Sequence, residues 1–436
     1  MRRLARIAVD TSALRESRDF RLLTAGSIIT GLGTQATLVA LPYQVFVITG
    51  SAFLTGLLGG AEIVPLVVAS LFGGALADRF DRRQLLLACQ VALVVIAALL
   101  AFAAFAGPPP VWILFVLAAA LAGAAAVERV VRAAIVPNTV DPDNLRAAIS
   151  LTFGLYQLTQ VVGPGVGGLL IAGFGVGTPY AVDAVSCLGM ALAAWAMSAQ
   201  PVPAGTHHEP VLRSIRSGLA FVRRIKALVG SFVIDLSAMT FGMPRALFPV
   251  LSLTVYHAGA AGTGLLFAAV AAGSTVAALT TGWLIRARFL GRITLAAVAA
   301  WGAFIAIAGL VDSIWPAAAM FALAGAADSV SAVCRSTISQ TLTPDRMRGR
   351  MTSVFSLVVA GGPRLGDIES GTVAALTSPA FSVVSGGLAC LASVGIIAAA
   401  FPQLAAYDGD EVGAGEVGAD VDLELEAEKA VETELG

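Results

Sequence analysis

Gly73-Gly-Ala-Leu-Ala-Asp78-Arg79-Phe-Asp81-Arg82-Arg83 joins two apolar runs, 54–77 and 84–106. A helix of about 20 residues rises about 30 Å, the thickness of a bilayer's hydrocarbon core. Lipid offers no water to a free backbone, so apolar runs of this length must be helices or the strands of a closed barrel. Barrel strands alternate apolar and polar residues, and these runs do not. The segment between them is therefore the turn of a membrane helical hairpin. Its small residues let helix ends approach closely. Gly74, Asp78, Arg79, Arg82 and Arg83 form a candidate gating loop, because an acid beside several guanidiniums can latch one conformation and break in another. Positive charge at a membrane face would explain the arginines alone, but an Asp at a helix end has no such use.

The same reading extends along the chain. Apolar segments fall near 22–48, 54–77, 84–106, 111–135, 147–172, 178–199, 228–256, 260–285, 292–311, 315–338, 350–376 and 380–402. Of the 436 residues, 57% are hydrophobic and 13% charged, and the mean hydropathy is +0.86. A soluble domain carries about 25% charged residues, so a water-soluble core is excluded. The expected fold is an all-α membrane protein with twelve transmembrane helices in two six-helix bundles.

Arginine sets the orientation. Loops near 49–53, 107–110, 173–177, 257–259, 312–314 and 377–379 contain no Lys or Arg, whereas the alternate loops hold Arg79, Arg82, Arg83, Arg146, Arg223, Arg288, Arg292, Arg346 and others. This asymmetry places the basic loops and both termini in the cytoplasm. The arginines before the first run, with a run long enough to span, suggest a retained first helix rather than a cleaved signal.

The expected organisation is a cytoplasmic N-terminal segment (1–21), a first bundle (22–199), a cytoplasmic linker (200–227), a second bundle (228–405) and an acidic tail (406–436). Residues 213–226 are basic and amphipathic and should lie at the membrane surface. His207 and His208 have no other ligands nearby and read as solvated rather than metal-binding. From Asp408 onward the tail holds eleven acids and one Lys, leaving a balance of +9 in the first 407 positions. Such a tail is expected to be solvated and disordered. Cys89, Cys187, Cys334 and Cys390 sit in apolar runs as small buried hydrophobes.

The halves repeat. Ala122-Gly-Ala-Ala125, Arg132, Pro142-Asp143 and Arg146 recur as Ala324-Gly-Ala-Ala327, Arg335, Pro344-Asp345 and Arg348, at an offset of 202 or 203. Gly163-Pro164 and Gly167 recur as Gly362-Pro363 and Gly366 at an offset of 199. Parallel repeats of this kind build secondary transporters with a midplane site. In span five, Gly163, Pro164, Gly167 and Gly168 combine a lost backbone donor with close-packing positions, and so a kink.

On these residues the chain resembles the major facilitator superfamily. The loop signature Gly-x-Leu-Ala-Asp-Arg-x-Gly-Arg-Arg is matched at Gly74, Leu76, Ala77, Asp78, Arg79, Arg82 and Arg83, with Asp81 in place of Gly. The corresponding loop of the second half, Gly282-Trp-Leu-Ile-Arg286-Ala-Arg288-Phe-Leu-Gly291-Arg292, puts Arg286 at the acidic position, so its latch should be degenerate. The span-five residues are similar to the Gly-Pro-x-x-Gly-Gly core of facilitator antiporters, which implies export. The resemblance covers about residues 15–405 and implies a bacterial inner membrane as the location. Leu41-Pro-Tyr-Gln-Val-Phe46, Phe241-Gly-Met-Pro-Arg-Ala-Leu-Phe-Pro249 and Pro344-Asp-Arg-Met-Arg-Gly-Arg350 bring it nearest to the enterobactin exporter group and related bacterial multidrug exporters.

Ionisable residues within spans are costly and usually face a cavity or one another. Burial favours the neutral acid and a neighbouring guanidinium favours the anion, so a moving partner can drive proton exchange. Glu62, Asp235, Asp328, Arg245 and Arg335 are the proton-coupling candidates. Asp235 and Arg245 share span seven about three turns apart, and Asp328 and Arg335 share one face of span ten. Asp183 lies near the outer end of span six, and Arg364 and Asp367 can pair at i, i+3 in span eleven. Arg129 and Arg132 should reach the interface by snorkelling. Gln35, Tyr43, Gln44, Tyr156, Gln157, Gln160, Met239 and Phe241 are candidate lining groups for an amphipathic substrate, although core packing accounts for any one of them equally well.

No phosphate-cradling loop, nucleophile arrangement or metal-ligand cluster appears, so the chain is not expected to be an enzyme or to carry a cofactor. The leading expectation is a monomeric proton antiporter exporting a small amphipathic molecule, with protons and the bilayer as its other partners and no nucleic acid. An importer of the same fold and a non-transporting scaffold or sensor are the competing readings.

Overall fold

The structure is a computed structural model describing residues 12–201, 211–344 and 347–408. His207, His208, Asp345, Arg346 and the tail beyond Asp408 lie outside the described residues. After a short turn at Ser12–Glu16, six long helices follow: α1 (Arg18–Thr49), α2 (Ala52–Ala77), α3 (Arg82–Phe105), α4 (Val111–Thr139), α5 (Leu145–Phe174) and α6 (Gly177–Ala196). Then come α7 (Val211–Arg224), α8 (Lys226–Phe241), α9 (Phe248–Thr254), α10 (Gly259–Thr280), α11 (Leu290–Ala308), α12 (Ile314–Thr341), α13 (Arg348–Leu376), α14 (Pro379–Ala400) and the short α15 (Pro402–Ala406).

The boundaries follow local chemistry. Ser17, Ser51 and Ser378 accept from the backbone N–H three residues on, satisfying a first-turn donor of α1, α2 and α14. At the end of α1, Gly50 adopts φ 62°, a left-handed cap that a side chain would strain. Among the described residues, eleven segments are long and apolar enough to cross a membrane. The expected twelfth, α13, has 29 residues and length to spare. It is less apolar because Arg364, Asp367 and Glu369 fall within it.

Span seven departs from expectation. It was expected as one helix, but α8 ends at Gly242, and Pro244 follows before a 3-10 turn at Arg245–Leu247 leads into α9. Trp301 donates its indole N–H to the Gly242 carbonyl at 3.0 Å, satisfying a group the break exposes. Asp235 and Arg245 therefore do not lie on one continuous helix.

Contacts divide the chain into two units. The first comprises the described residues up to 201 with Phe248–Ala271; the second comprises residues 211–247 and the described residues from Ala272 onward. In the first, Phe20, Leu23, Leu86, Val131, Ile135, Ala148 and Met190 form a buried cluster. In the second, α7 packs against α13 and buries Phe221 and Val222, so protein covers part of its apolar face. All four cysteines are buried and unbridged.

Candidate functional site

The 73–83 loop is built as a docked turn. Asp78 closes α2, and its carboxylate lies 4.0 Å from the Arg82 guanidinium. Arg82 is 9% exposed; it donates to the Ala134 carbonyl of α4 at 2.9 Å and to Ala77 at 3.3 Å. Arg83 donates to the Ala194 carbonyl at 3.0 Å and to Trp195, both at the end of α6. Two guanidiniums thus hold carbonyls of three helices, those of α2 and α6 in the last turn, where the helix dipole favours positive charge. Arg79 is exposed and rests against the Phe80 ring at 5.8 Å.

Asp81, where the family pattern has Gly, caps α3. Its carboxylate accepts from Arg83 N at 2.9 Å and Gln84 N at 3.2 Å, and its other oxygen accepts from Gln200 N at 3.1 Å. Its φ of −54° needs no glycine. The corresponding loop of the second half lacks the acid, as the sequence indicates, but docks by similar chemistry. Arg292 donates to the Ala405 carbonyl at 3.2 Å, and Arg288 pairs with Asp408 at 3.0 Å.

The span-five motif lies on α5 and faces two neighbours in the first unit. A Cβ at Gly163 would stand 2.5 Å from Gln35 Cβ, and one at Gly167 would stand 2.7 Å from Ala36 Cα, both on α1. A Cβ at Gly168 would stand 2.9 Å from Gly264 Cα on α10. In the second unit the repeated glycines do likewise. Gly362 and Gly366 of α13 lie against Met239 of α8, with 2.9 Å left for a Cβ at Gly362. Each unit therefore seats the same glycine pair on its own equivalent helix.

The charged residues of the second unit converge. Arg335 on α12 forms an ion pair with Asp235 on α8, and its second terminal nitrogen lies 3.6 Å from Asp328. Arg335 and Asp235 are 5% and 3% exposed. Arg245 acts electrostatically on Asp328 and on Asp367 of α13, and Arg364 also acts on Asp367. Asp367 accepts from Ala246 N at 3.0 Å, which ties the break in span seven to α13. Four of the five coupling candidates thus share one cluster. Glu62 is half-buried on α2 of the first unit.

Two acids of the first unit carry more structure than the sequence suggested. Asp183 on α6 is 1% exposed; it accepts from Thr37 Oγ1 at 2.8 Å and Thr34 Oγ1 at 3.3 Å on α1. Thr34 and Thr37 at i, i+3, opposite Asp183 and Ser186, were the available signal. Glu128 on α4 is 6% exposed, pairs with Arg132 at 3.4 Å and accepts from Gln90 at 3.3 Å. Arg132 is thus held inside the unit by an i, i+4 pair rather than freed to snorkel.

The lining candidates scatter. Gln44 is buried and accepts from the Tyr180 hydroxyl at 2.8 Å, tying α1 to α6 rather than facing a cavity. Met239 is occupied by its contact with α13, and the Phe241 carbonyl lies beneath Gly386 of α14. Gln35 is taken up beneath Gly163; Tyr43, Gln157 and Gln160 are half-buried. Tyr156, 43% exposed, lines a cleft of about 500 Å³ among α1, α4 and α5. Among the described residues, no group of three or more His, Cys, Asp or Glu is placed to hold a metal.

Buried charge in membrane helices and a docked charged loop are the parts of a secondary transporter, and comparison with known proteins agrees. A family model described as "Transmembrane secretion effector" (MFS_3) matches residues 11–429. The chain belongs to this major facilitator family. The transporter is 28% identical over 390 residues to the enterobactin exporter EntS of Shigella boydii, covering 88% of this chain and 92% of that one. To EntS of Salmonella typhi it is 29% identical over 391 residues, covering 87% and 91%. Solved structures share its fold. The nucleoside transporter NupG superposes with a TM-score of 0.70 at 12% identity, over 89% of this chain and 99% of that one. A bacterial homologue of the iron transporter ferroportin gives 0.64 at 17% identity, over 89% and 98%. These relatives are transporters, and the chain is a multi-pass membrane transporter rather than an enzyme.

Proposed function

We propose that the chain exports a small amphipathic molecule, siderophore or drug-like, across the bacterial inner membrane by alternating access, in exchange for protons. Both termini lie in the cytoplasm in this reading, and the chain acts as a monomer. The observation that carries the coupling is Arg335, which faces Asp235 on another helix and Asp328 on its own. One guanidinium between two buried carboxylates can satisfy both only by sharing. A helix movement that draws it from Asp235 toward Asp328 leaves Asp235 to take a proton, while Arg245 continues to act on Asp328. The export direction is supported by the similarity to proteins named enterobactin exporters.

The test uses everted vesicles, energised so that their interior acidifies. Adding a transported siderophore or drug should dissipate that gradient, and Asp235→Asn should abolish the response while the protein stays in the membrane. Whole cells accumulating a labelled solute through the wild-type chain would instead establish import.

A further inference from the structure

The cleft among α1, α4 and α5 has a volume of about 500 Å³, within the range of small-molecule sites. Leu23, Ile28 and Phe153 supply apolar wall, and Arg129, Arg132, Thr24 and Tyr156 supply its polar character. The charges do not balance. Arg132 is neutralised by Glu128 at 3.4 Å, whereas Arg129 has no ion-pair or hydrogen-bond partner among the described residues. Arg129 stands ten residues before the end of α4, about 15 Å inside that end, and so is not simply a loop charge. A second observation is independent of charge: Thr24 is 6% exposed, lines the cleft, and its Oγ1 has no partner among the described residues. A buried hydroxyl without a partner is costly, and because this oxygen has no surface open to the cleft, a χ1 rotation that turns it into the cleft would let a ligand's polar group relieve that cost.

We infer that this cleft binds an amphipathic organic anion, with the acidic group on Arg129, a second polar group on Thr24 and an aromatic ring against Phe153 and Tyr156. As a statement about the transported substrate, this rests on the export reading above; as a binding site it stands alone. The net positive charge selects anions over cations of the same shape, because the low-dielectric walls strengthen attraction and repulsion alike. Glu128 sets that selectivity by cancelling one of the two guanidiniums.

The purified full chain in phosphatidylcholine nanodiscs tests it by calorimetry with 2-naphthoate and its shape-matched cation 2-naphthylmethylammonium. Naphthoate should bind at least tenfold more tightly than the cation. Arg129→Gln should weaken naphthoate about tenfold and erase the preference, and Arg129→Lys should keep most of it. Thr24→Val should weaken both probes severalfold and leave their ratio unchanged. Arg129 is exposed and partner-free, so its loss should not unfold the chain, and the unfolding temperature checks this. Equal binding of the two probes, or undiminished naphthoate binding by R129Q, would overturn the assignment. So would phosphatidylglycerol that co-purifies with wild type and not with R129Q, which would make the cleft a lipid site. Anion binding lost in R129Q while the wild type moves nothing in vesicles would leave the site standing and remove the export reading. Export of anionic substrates that R129Q leaves undiminished would do the reverse.

Discussion

Arg335 on α12 pairs with Asp235 on α8 and stands 3.6 Å from Asp328, so one buried guanidinium serves two carboxylates from two helices. Breaking a buried pair on one side costs roughly 3–5 kcal/mol, because the remaining charge keeps its desolvation penalty. Arg335→Gln, which strands Asp235 and leaves Asp328 only the influence of Arg245, should therefore lower the unfolding temperature more than Asp235→Asn does. The double variant should regain part of that loss without regaining proton flux. Thermal unfolding in detergent, read beside vesicle pH, separates the two effects. A single variant as stable as wild type would show that the pair is exposed to water.

Close approach gives a steric prediction. A Cβ at Gly167 meets the Ala36 backbone at 2.7 Å, and one at Gly366 meets the Met239 carbonyl, whereas one at Gly74 meets nothing within 4 Å. Overpacking of this kind costs about 1–3 kcal/mol. Gly167→Val and Gly366→Val should both cut folded yield in size-exclusion profiles, and Gly74→Val should not. Equal damage from all three would mean that Gly74 is constrained by contacts other than these.

Much of this was legible in the sequence because lipid leaves so few options. Long apolar runs had to be helices, and Arg-free loops alternating with Arg-rich ones fixed their number. The glycine repeat was legible too, since Gly163 and Gly362 occupy matching positions on matching helices. What was not legible depended on which faces meet. Gln44 read as a cavity residue, but its partner Tyr180 lies 136 residues away. Glu128 went unremarked because one acid beside two arginines looks like interface charge until Gln90 of α3 is seen beside it. The break in span seven was signalled by Gly242 and Pro244, yet hydropathy averages over such breaks.

Asp81 offers a local test of why this chain departs from the family pattern. As N-cap of α3 it satisfies two backbone donors and also receives Gln200 N. Replacing such a cap by Ala costs about 1 kcal/mol, and by Gly only a few tenths. Asp81→Ala should thus lower stability measurably, and Asp81→Gly, the family residue, should lower it less. The order reverses if the residue acts through turn strain instead, because Ala tolerates φ of −54° as well as Asp does.

Orientation can be read chemically. In an otherwise cysteine-free chain, Arg79→Cys and Arg288→Cys should react with a membrane-impermeant maleimide only in everted vesicles. Gly50→Cys and Gly107→Cys, in loops without Lys or Arg, should react only in intact cells. The two pairs together test the span count, since one missed crossing between them would place Arg288 with Gly107.

The acidic tail discriminates a transporter from a scaffold. Its first acid, Asp408, pairs with Arg288 at 3.0 Å, but the Arg288 side chain is 63% exposed, and exposed pairs contribute about 0–1 kcal/mol. The docking that matters more is the Arg292 donation to the Ala405 carbonyl, which truncation after Asp408 leaves in place. A chain ending at Asp408 should therefore fold, insert and discharge the proton gradient at the wild-type rate. If it folds and inserts but loses all function, while Asp408→Asn alone is silent, then the missing 28 residues carry the activity through a partner and the proposal of self-contained, proton-coupled export fails.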